Sequence, residues 1–292
     1  MENKNILVSV SGGETSMYMA QWLKKEWGSN NNLKYVFANT GEENEETLLF
    51  IEKCAQYFEL PIVWVEAIVN PEFGKGNKAK VVSFETASRN GEPFKAMITK
   101  HGIPNLIFPH CSRELKGRTI DAYLREIGFK TDYKAIGIRA DEIDRISNIP
   151  GIIQPLVKAG YTIQDRNRFW RDMPFRLNLK GYEDNCKVCW KKSLRKLLTI
   201  AKYHPERFDN FQKWEKEYEY YVPASQADGR TVPIMFFRGN LTVDDILAMS
   251  KQPFEDAEND RILFIKNNVQ LEFQLDLSNG CVESCEPYGK EE

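Results

Sequence analysis

The sequence predicts an α/β fold: a parallel sheet with helices on both faces, followed by a helical region with a small β element. Three observations predict it. Short apolar, β-branched runs stand at residues 6–10 (ILVSV), 33–38 (LKYVFA) and 61–66 (PIVWVE). Stretches of helical composition separate them, at 15–26 and about 43–58. Turn residues interrupt each junction, Ser11-Gly12-Gly13 after the first run and Asn39-Thr40-Gly41 after the second. Strand–helix–strand–helix–strand alternation is the pattern of a parallel sheet covered by helices.

The remaining elements follow in order. Glu42, Glu43, Glu45 and Glu46 open the second helix, where carboxylates complement the helix dipole. Residues 69–93, rich in Gly, Asn, Lys and Pro, read as an insertion or mobile loop. Residues 111–127 read as a helix, 134–138 (KAIGI) as a fourth strand and 152–156 as a fifth. Helices are expected at 163–170, 189–203 and 205–221, and a late strand pair at 262–265 and 269–275. The division expected is a nucleotide-binding α/β domain over residues 1–160 and a helical, cysteine-containing region over 161–292 packed on it.

With 292 residues, 42% of them hydrophobic, the chain can bury an ordinary core. A net charge of -2 excludes a globally basic nucleic-acid binder and leaves room for a local basic patch. No apolar run approaches the roughly 20 residues that a membrane helix needs. The N-terminal residues lack the basic and apolar regions of an export signal, so a cytoplasmic protein without membrane association is expected. Self-association into a homo-oligomer is left open. Six cysteines in such a chain read as thiols or metal ligands rather than a disulfide framework.

The loop Ser9-Val10-Ser11-Gly12-Gly13-Glu14-Thr15-Ser16 carries the first chemistry. Two glycines let the backbone turn and approach a ligand. Hydroxyls at Ser9, Ser11, Thr15 and Ser16 add donors, and the helix that follows offers unpaired N–H groups. The loop is neither a Walker loop, which needs Gly-Lys-Ser/Thr, nor a dinucleotide fingerprint. A second loop, Asn39-Thr40-Gly41-Glu42, follows the second strand. In an open parallel sheet both loops lie at the carboxyl ends of the strands, where ligands bind. Arg139 follows the fourth strand closely enough to clamp a phosphate, with Asp141 and Glu142 as candidates for Mg²⁺.

These segments carry a resemblance. The Ser-Gly-Gly-x-Thr-Ser loop, the Asn-Thr-Gly-Glu loop followed by Glu46-Thr47, and Gly137-Ile138-Arg139-Ala140-Asp141-Glu142 with Arg145 resemble the PP-loop ATP pyrophosphatase superfamily. More narrowly, they resemble its phosphoadenosine phosphosulfate (PAPS) reductase-like branch, over roughly residues 5–215. The resemblance implies an adenine nucleotide α-hydrolase-like, Rossmann-like fold. It implies that Ser11, Gly12, Gly13, Thr15 and Ser16 hold phosphate, that the 39–42 loop lies near the nucleoside, and that ATP with Mg²⁺ is the cofactor. Ser9 and Gly137 join this binding set, and Arg139 and Arg145 are the catalytic candidates. Thr15 stands where many ATP-cleaving members carry Asp.

Cys186-Lys187-Val188-Cys189 fits zinc, an iron–sulfur cluster or a redox dithiol. Two ligand groupings are open. One joins Cys186 and Cys189 to Cys281 and Cys285. The other follows a resemblance to assimilatory adenylyl-sulfate reductases and joins Cys111, near the basic Lys116, to Cys186 and Cys189. Ser112 stands where those enzymes have a second adjacent Cys, so the fourth ligand would come from the tail or from His110. Cys54 reads as a buried core thiol. Lys187, Lys191, Lys192, Arg195 and Lys196 would form a basic face if their segment is helical. The aromatics at 208–221 repeat at helical spacing and read as core.

The expected function is cleavage of ATP between its α and β phosphates with adenylylation of an acceptor, a small molecule or a nucleic acid, linked to sulfur chemistry at a cysteine metal site. One alternative is a sulfonucleotide reductase in which Cys281 attacks sulfur. The family's tail motif Glu-Cys-Gly-Leu/Ile-His is replaced by Gly280-Cys281-Val282-Glu283-Ser284-Cys285. Another is a non-catalytic nucleotide- or nucleic-acid-binding module.

Overall fold

The computed structural model describes residues 3–223 and 231–259. It begins with β1 (Asn5–Val10), α1 (Glu14–Trp27), β2 (Asn32–Asn39), α2 (Glu45–Tyr57) and β3 (Ile62–Ile68). Then come β4 (Lys78–Val82), α3 (Glu92–His101), a π-helix (Cys111–Gly117) running directly into α4 (Arg118–Glu126), and β5 (Tyr133–Ala135). A 3-10 turn (Ile143–Arg145), β6 (Ile152–Ile153), α5 (Pro155–Lys158) and α6 (Ile163–Arg171) follow. The last described helices are α7 (Leu194–Tyr203), α8 (Asp209–Tyr218) and α9 (Val243–Met249).

The six strands lie in the order β4-β3-β2-β1-β5-β6. All neighbours are parallel except β3 and β4. Alternation along the strands explains the two-sided cover. Ile6, Val8 and Val10 face one side and meet Met17, Leu48, Ile51 and Trp170 from α1, α2 and α6. Leu7, Val36, Ala38 and Val65 face the other and meet Ile120, Tyr123 and Leu124 of α4. A third apolar cluster joins α3, the π-helix and α7–α9, with Met97, Leu115, Ile200, Phe211 and Ile246 fully or almost fully buried. Cores therefore cross residue 160: Trp170, Leu177 and Leu179 belong with β1, and Ala67 belongs with α7 to α9. No helix among the described residues is long and apolar enough to cross a membrane.

Several elements differ from expectation. The 69–93 stretch holds the antiparallel edge strand β4. Its Lys78 and Lys80 are exposed, as edge strands require, and that polarity hid it in the sequence. The fourth strand stops at Ala135, because the chain leaves the sheet to carry residues 136–145 toward α1. The helix expected at 189–203 begins at Leu194, after Ser193 caps it by accepting from the Lys196 N–H. The strands expected at 262–265 and 269–275 lie outside the described residues.

Candidate nucleotide site and an adjoining thiol cavity

The chain runs outward from β1 to β2 and β3, then returns to place β5 on the other side of β1. That reversal makes a topological switch point between β1 and β5, the place where open α/β sheets bind ligands. Two loops diverge there, 11–13 after β1 and 136–145 after β5. Gly12 has φ +85, a left-handed conformation that favours glycine. The Ser11 N–H donates to Ser16 Oγ at 2.8 Å, which closes the loop on itself. Gly13, the N-cap residue of α1, makes no side-chain cap hydrogen bond. Gly137 lies against this turn: a Cβ there would be 2.9 Å from Ser16 Cα.

Arg139 is buried and reaches the loop, its Nη1 donating to Thr15 Oγ1 at 3.3 Å. Its Nε donates to Asp141 Oδ1 at 3.1 Å and its backbone N–H to Glu142 Oε2 at 2.8 Å. Glu142 is also hydrogen-bonded to Arg145. Arg139, Asp141, Glu142 and Arg145 thus form one charge-balanced network beside the α1 N-terminus. Ser9, Ser11, Gly12, Gly13, Thr15, Ser16, Gly137 and Arg139 come together in this corner; Arg145 joins it through Glu142.

The 39–44 loop is the neighbouring wall. Asn39 donates to Glu66 Oε1 at 2.7 Å and to the Ser88 carbonyl at 2.8 Å. Gly41, at φ +82, passes so close to Gly91 that a Cβ would stand 3.0 Å from its backbone. Glu42 and Glu43 were expected at the start of the second helix, but α2 begins at Glu45 and both are buried in the loop. Glu43 accepts the Thr40 N–H at 2.8 Å and lies 3.5 Å from Lys116 Nζ. Glu42 Oε1 accepts from Asn210 at 2.8 Å, and its Oε2 has no hydrogen-bond partner among the described residues. Burial pushes the Glu42 carboxyl up to about 7, against the pull of Lys187 and Asn210.

The Cys-x-x-Cys segment packs directly on this loop. Cys186 forms an antiparallel bridge with Glu43, the Lys187 N–H donates to the Glu42 carbonyl at 2.8 Å, and the Asn44 N–H donates to the Asn185 carbonyl at 2.8 Å. The Asn185 side chain lies over Gly13. Cys111, at the start of the π-helix, meets Cys186 and Cys189 around a small cavity of about 20 Å³ that Lys116, Glu42, Thr40 and Trp190 also line. The Trp190 indole N–H has no hydrogen-bond partner among the described residues. Among the described residues no three His, Cys, Asp or Glu side chains are arranged as a metal site. Cys281 and Cys285 lie outside the described residues. His110 is engaged elsewhere, with Arg113 at 3.1 Å and the rings of His101 and Phe108. Cys54 is buried in α2, where desolvation pushes its thiol up.

The basic residues around the Cys-x-x-Cys do not form one helix face, because 186–193 is irregular. Lys192 is buried and donates to the Cys186 carbonyl at 3.1 Å, while Lys187 donates to the Arg89 carbonyl at 2.7 Å. Sequence reasoning also missed Glu14. It is completely buried at the start of α1, 2.9 Å from Arg176 Nε and 3.7 Å from Arg166 Nε. Its carbonyl accepts the Trp170 indole N–H at 3.0 Å. Its place in the first helical turn was the one signal available. The partners arrive from 152 to 162 residues downstream.

No family model matches the chain. Across 290 residues it is 27% identical to an uncharacterized nin region protein, ORF290, of Escherichia phage lambda, over 97% of this chain and 95% of that protein.

Proposed function

We propose that this chain is an adenine-nucleotide enzyme of the PP-loop kind, with an adenine nucleotide α-hydrolase-like fold, that cleaves ATP between the α and β phosphates. One observation carries the reading: an α1 N-terminus whose N-cap residue, Gly13, makes no side-chain cap hydrogen bond, at the switch point, beside the Thr15–Arg139 contact. The nucleotide phosphates would approach the N–H groups at Gly13 to Ser16. An acceptor nucleophile would attack the α-phosphorus, the bond to the bridging oxygen would break, and pyrophosphate would leave with that electron pair. Arg139, held in place by Asp141 and Glu142, would stabilise charge on the transferring group. Both carboxylates are bonded to Arg139, and Asp141, about a third exposed where Glu142 is buried, would be the better placed to reach a nucleotide-bound Mg²⁺.

In residue type alone, Cys111, Cys186 and Cys189 at the thiol cavity would suit a thiolate-bound group, although among the described residues they are not arranged as a metal site. Zinc there would lock the Cys-x-x-Cys segment over the nucleotide loops, and an iron–sulfur cluster would add a means of polarising sulfur.

The test is thermal stability of anaerobically purified protein with ATP–Mg²⁺, adenylyl sulfate and PAPS in parallel, followed by pyrophosphate release with candidate acceptors. A ligand at about a hundred times its Kd adds roughly 2.7 kcal/mol. A shift with ATP and pyrophosphate release is the expected result. A shift with a sulfonucleotide alone would replace this reading by the reductase, and nucleotide binding without turnover would replace it by a binding module.

A further inference from the structure

A large concavity lies away from the nucleotide loops. It is a groove of about 940 Å³ along the π-helix and α4, on the sheet face opposite α1 and α2. Six cations line it: Lys75, Lys100, Arg113, Arg118, Arg125 and Lys134. The carboxylates that line it are Glu114 and Asp121, so six positive charges against two negative leave four in excess. The chain as a whole carries -2, so this is a local concentration of charge.

The carboxylates are already committed. Glu114 accepts from Arg113 at 2.9 Å and Arg118 at 2.9 Å, and Asp121 accepts from Lys134 at 2.7 Å. Lys100 donates to the Lys75 carbonyl, which leaves its charge unmatched by that bond. The exposed side chains of Lys75 and Arg125 make no hydrogen bond or ion pair among the described residues. The cations are also spread out. Arg118 and Arg125 are seven residues apart on α4, two turns, so they share a face with a rise of roughly 10 Å between them. Lys75 and Arg113 stand at the carboxyl edge of the sheet, and Arg125 and Lys134 toward the edge where β5 begins. A single phosphate cannot span that row; an extended polyanion can. Phe73 lines the same groove and is 56% exposed, an apolar ring beside the cations.

We propose that this groove binds single-stranded nucleic acid, its phosphodiesters along the Lys75–Arg125 row and a base on Phe73. A charged track with an exposed aromatic is how single strands are held without sequence readout. The site is independent of the nucleotide loops. The π-helix separates it from the thiol cavity, with Arg113 and Glu114 lining the groove and Cys111 and Lys116 lining the cavity.

The experiment is fluorescence anisotropy of the full chain with labelled oligo-dT and oligo-U of roughly 12 nucleotides, within the usual range of single-strand sites. A matched duplex and inorganic tripolyphosphate are the competitors. Binding is expected at low salt, weakening as salt rises with a slope of about -0.7 per phosphate neutralised. K75E/R125E should weaken it at least tenfold, and F73A by about fivefold. K25E/K53E, the same charge change at exposed positions on the opposite face, should change it less than about twofold. The two oligonucleotides distinguish DNA from RNA. No binding of either strand, equal loss in the two double variants, or displacement as effective by duplex or tripolyphosphate as by unlabelled strand would each overturn the proposal.

Discussion

Gly12 and Gly13 are adjacent, yet substitution by alanine should affect different properties. Gly12→Ala places a Cβ at φ +85, which costs about 1–2 kcal/mol for a residue other than glycine. The same Cβ would lie 2.5 Å from Thr47 Cγ2 and 2.9 Å from Ile51 Cδ1, both on completely buried residues of α2. Overpacking of that kind adds about 1–3 kcal/mol. The sum, ~2–5 kcal/mol, should appear as a lower urea midpoint at unchanged m-value. Gly13 has φ -83 and ψ 159, an ordinary extended conformation. Its Cβ would meet Asn185 Nδ2 at 3.5 Å, normal contact. Gly13→Ala should therefore stay within about 0.5–1 kcal/mol of wild type. Its methyl would nevertheless stand at the N-terminus of α1, where the proposed phosphates approach, and a tenfold loss of ATP affinity corresponds to about 1.4 kcal/mol. Isothermal titration beside urea unfolding separates the two effects. An unchanged midpoint for Gly12→Ala would refute the steric reasoning. Wild-type ATP affinity in Gly13→Ala would refute the placement of phosphate.

Three further outcomes are expected. Glu14→Ala removes the fully buried carboxylate that faces Arg166 and Arg176, and chemical denaturation should show a loss of about 3–5 kcal/mol; a loss under about 1 kcal/mol would contradict a buried ion pair. Glu215 is buried in α8, accepts the Phe236 and Val243 N–H groups, and is pushed up to about 7 from 4.5, mainly by burial. Because its folded pKa is the higher, its favourable contribution is present below about 4.5 and is lost as pH rises through about 7. The stability gap between wild type and Glu215→Gln should thus narrow by a few kcal/mol from acid to neutral pH, and a gap that does not change with pH would contradict it. Anaerobic protein analysed for zinc and iron should lose at least half its bound metal in each of Cys111→Ser, Cys186→Ser and Cys189→Ser; metal content indifferent to all three would separate these thiols from any metal site.

The first three strands and the first two helices were legible because their signal is local. Short apolar, β-branched runs and Gly-containing turns act within a few residues. β4 was not legible, since an exposed edge strand has little apolar pattern to display. The expectation of a basic helix face failed for a related reason. The run 187–196 has helical spacing of charge, but the chain there is pinned by bonds to Glu42, Arg89 and Asp184, so the helix begins only at Leu194.

By itself the sequence determined that an α/β sheet would form, that Ser-Gly-Gly would turn between β1 and α1, and that the Asn-Thr-Gly-Glu loop would follow β2. Tertiary structure alone decided that Glu42 and Glu43 leave water, that Asn185 covers Gly13, that Cys111 shares a cavity with Cys186 and Cys189, and that Arg139 reaches Thr15. The reason is separation along the chain. Turns and amphipathic periods are written by neighbouring residues, whereas burial and charge pairing depend on which distant segments the packed sheet brings together.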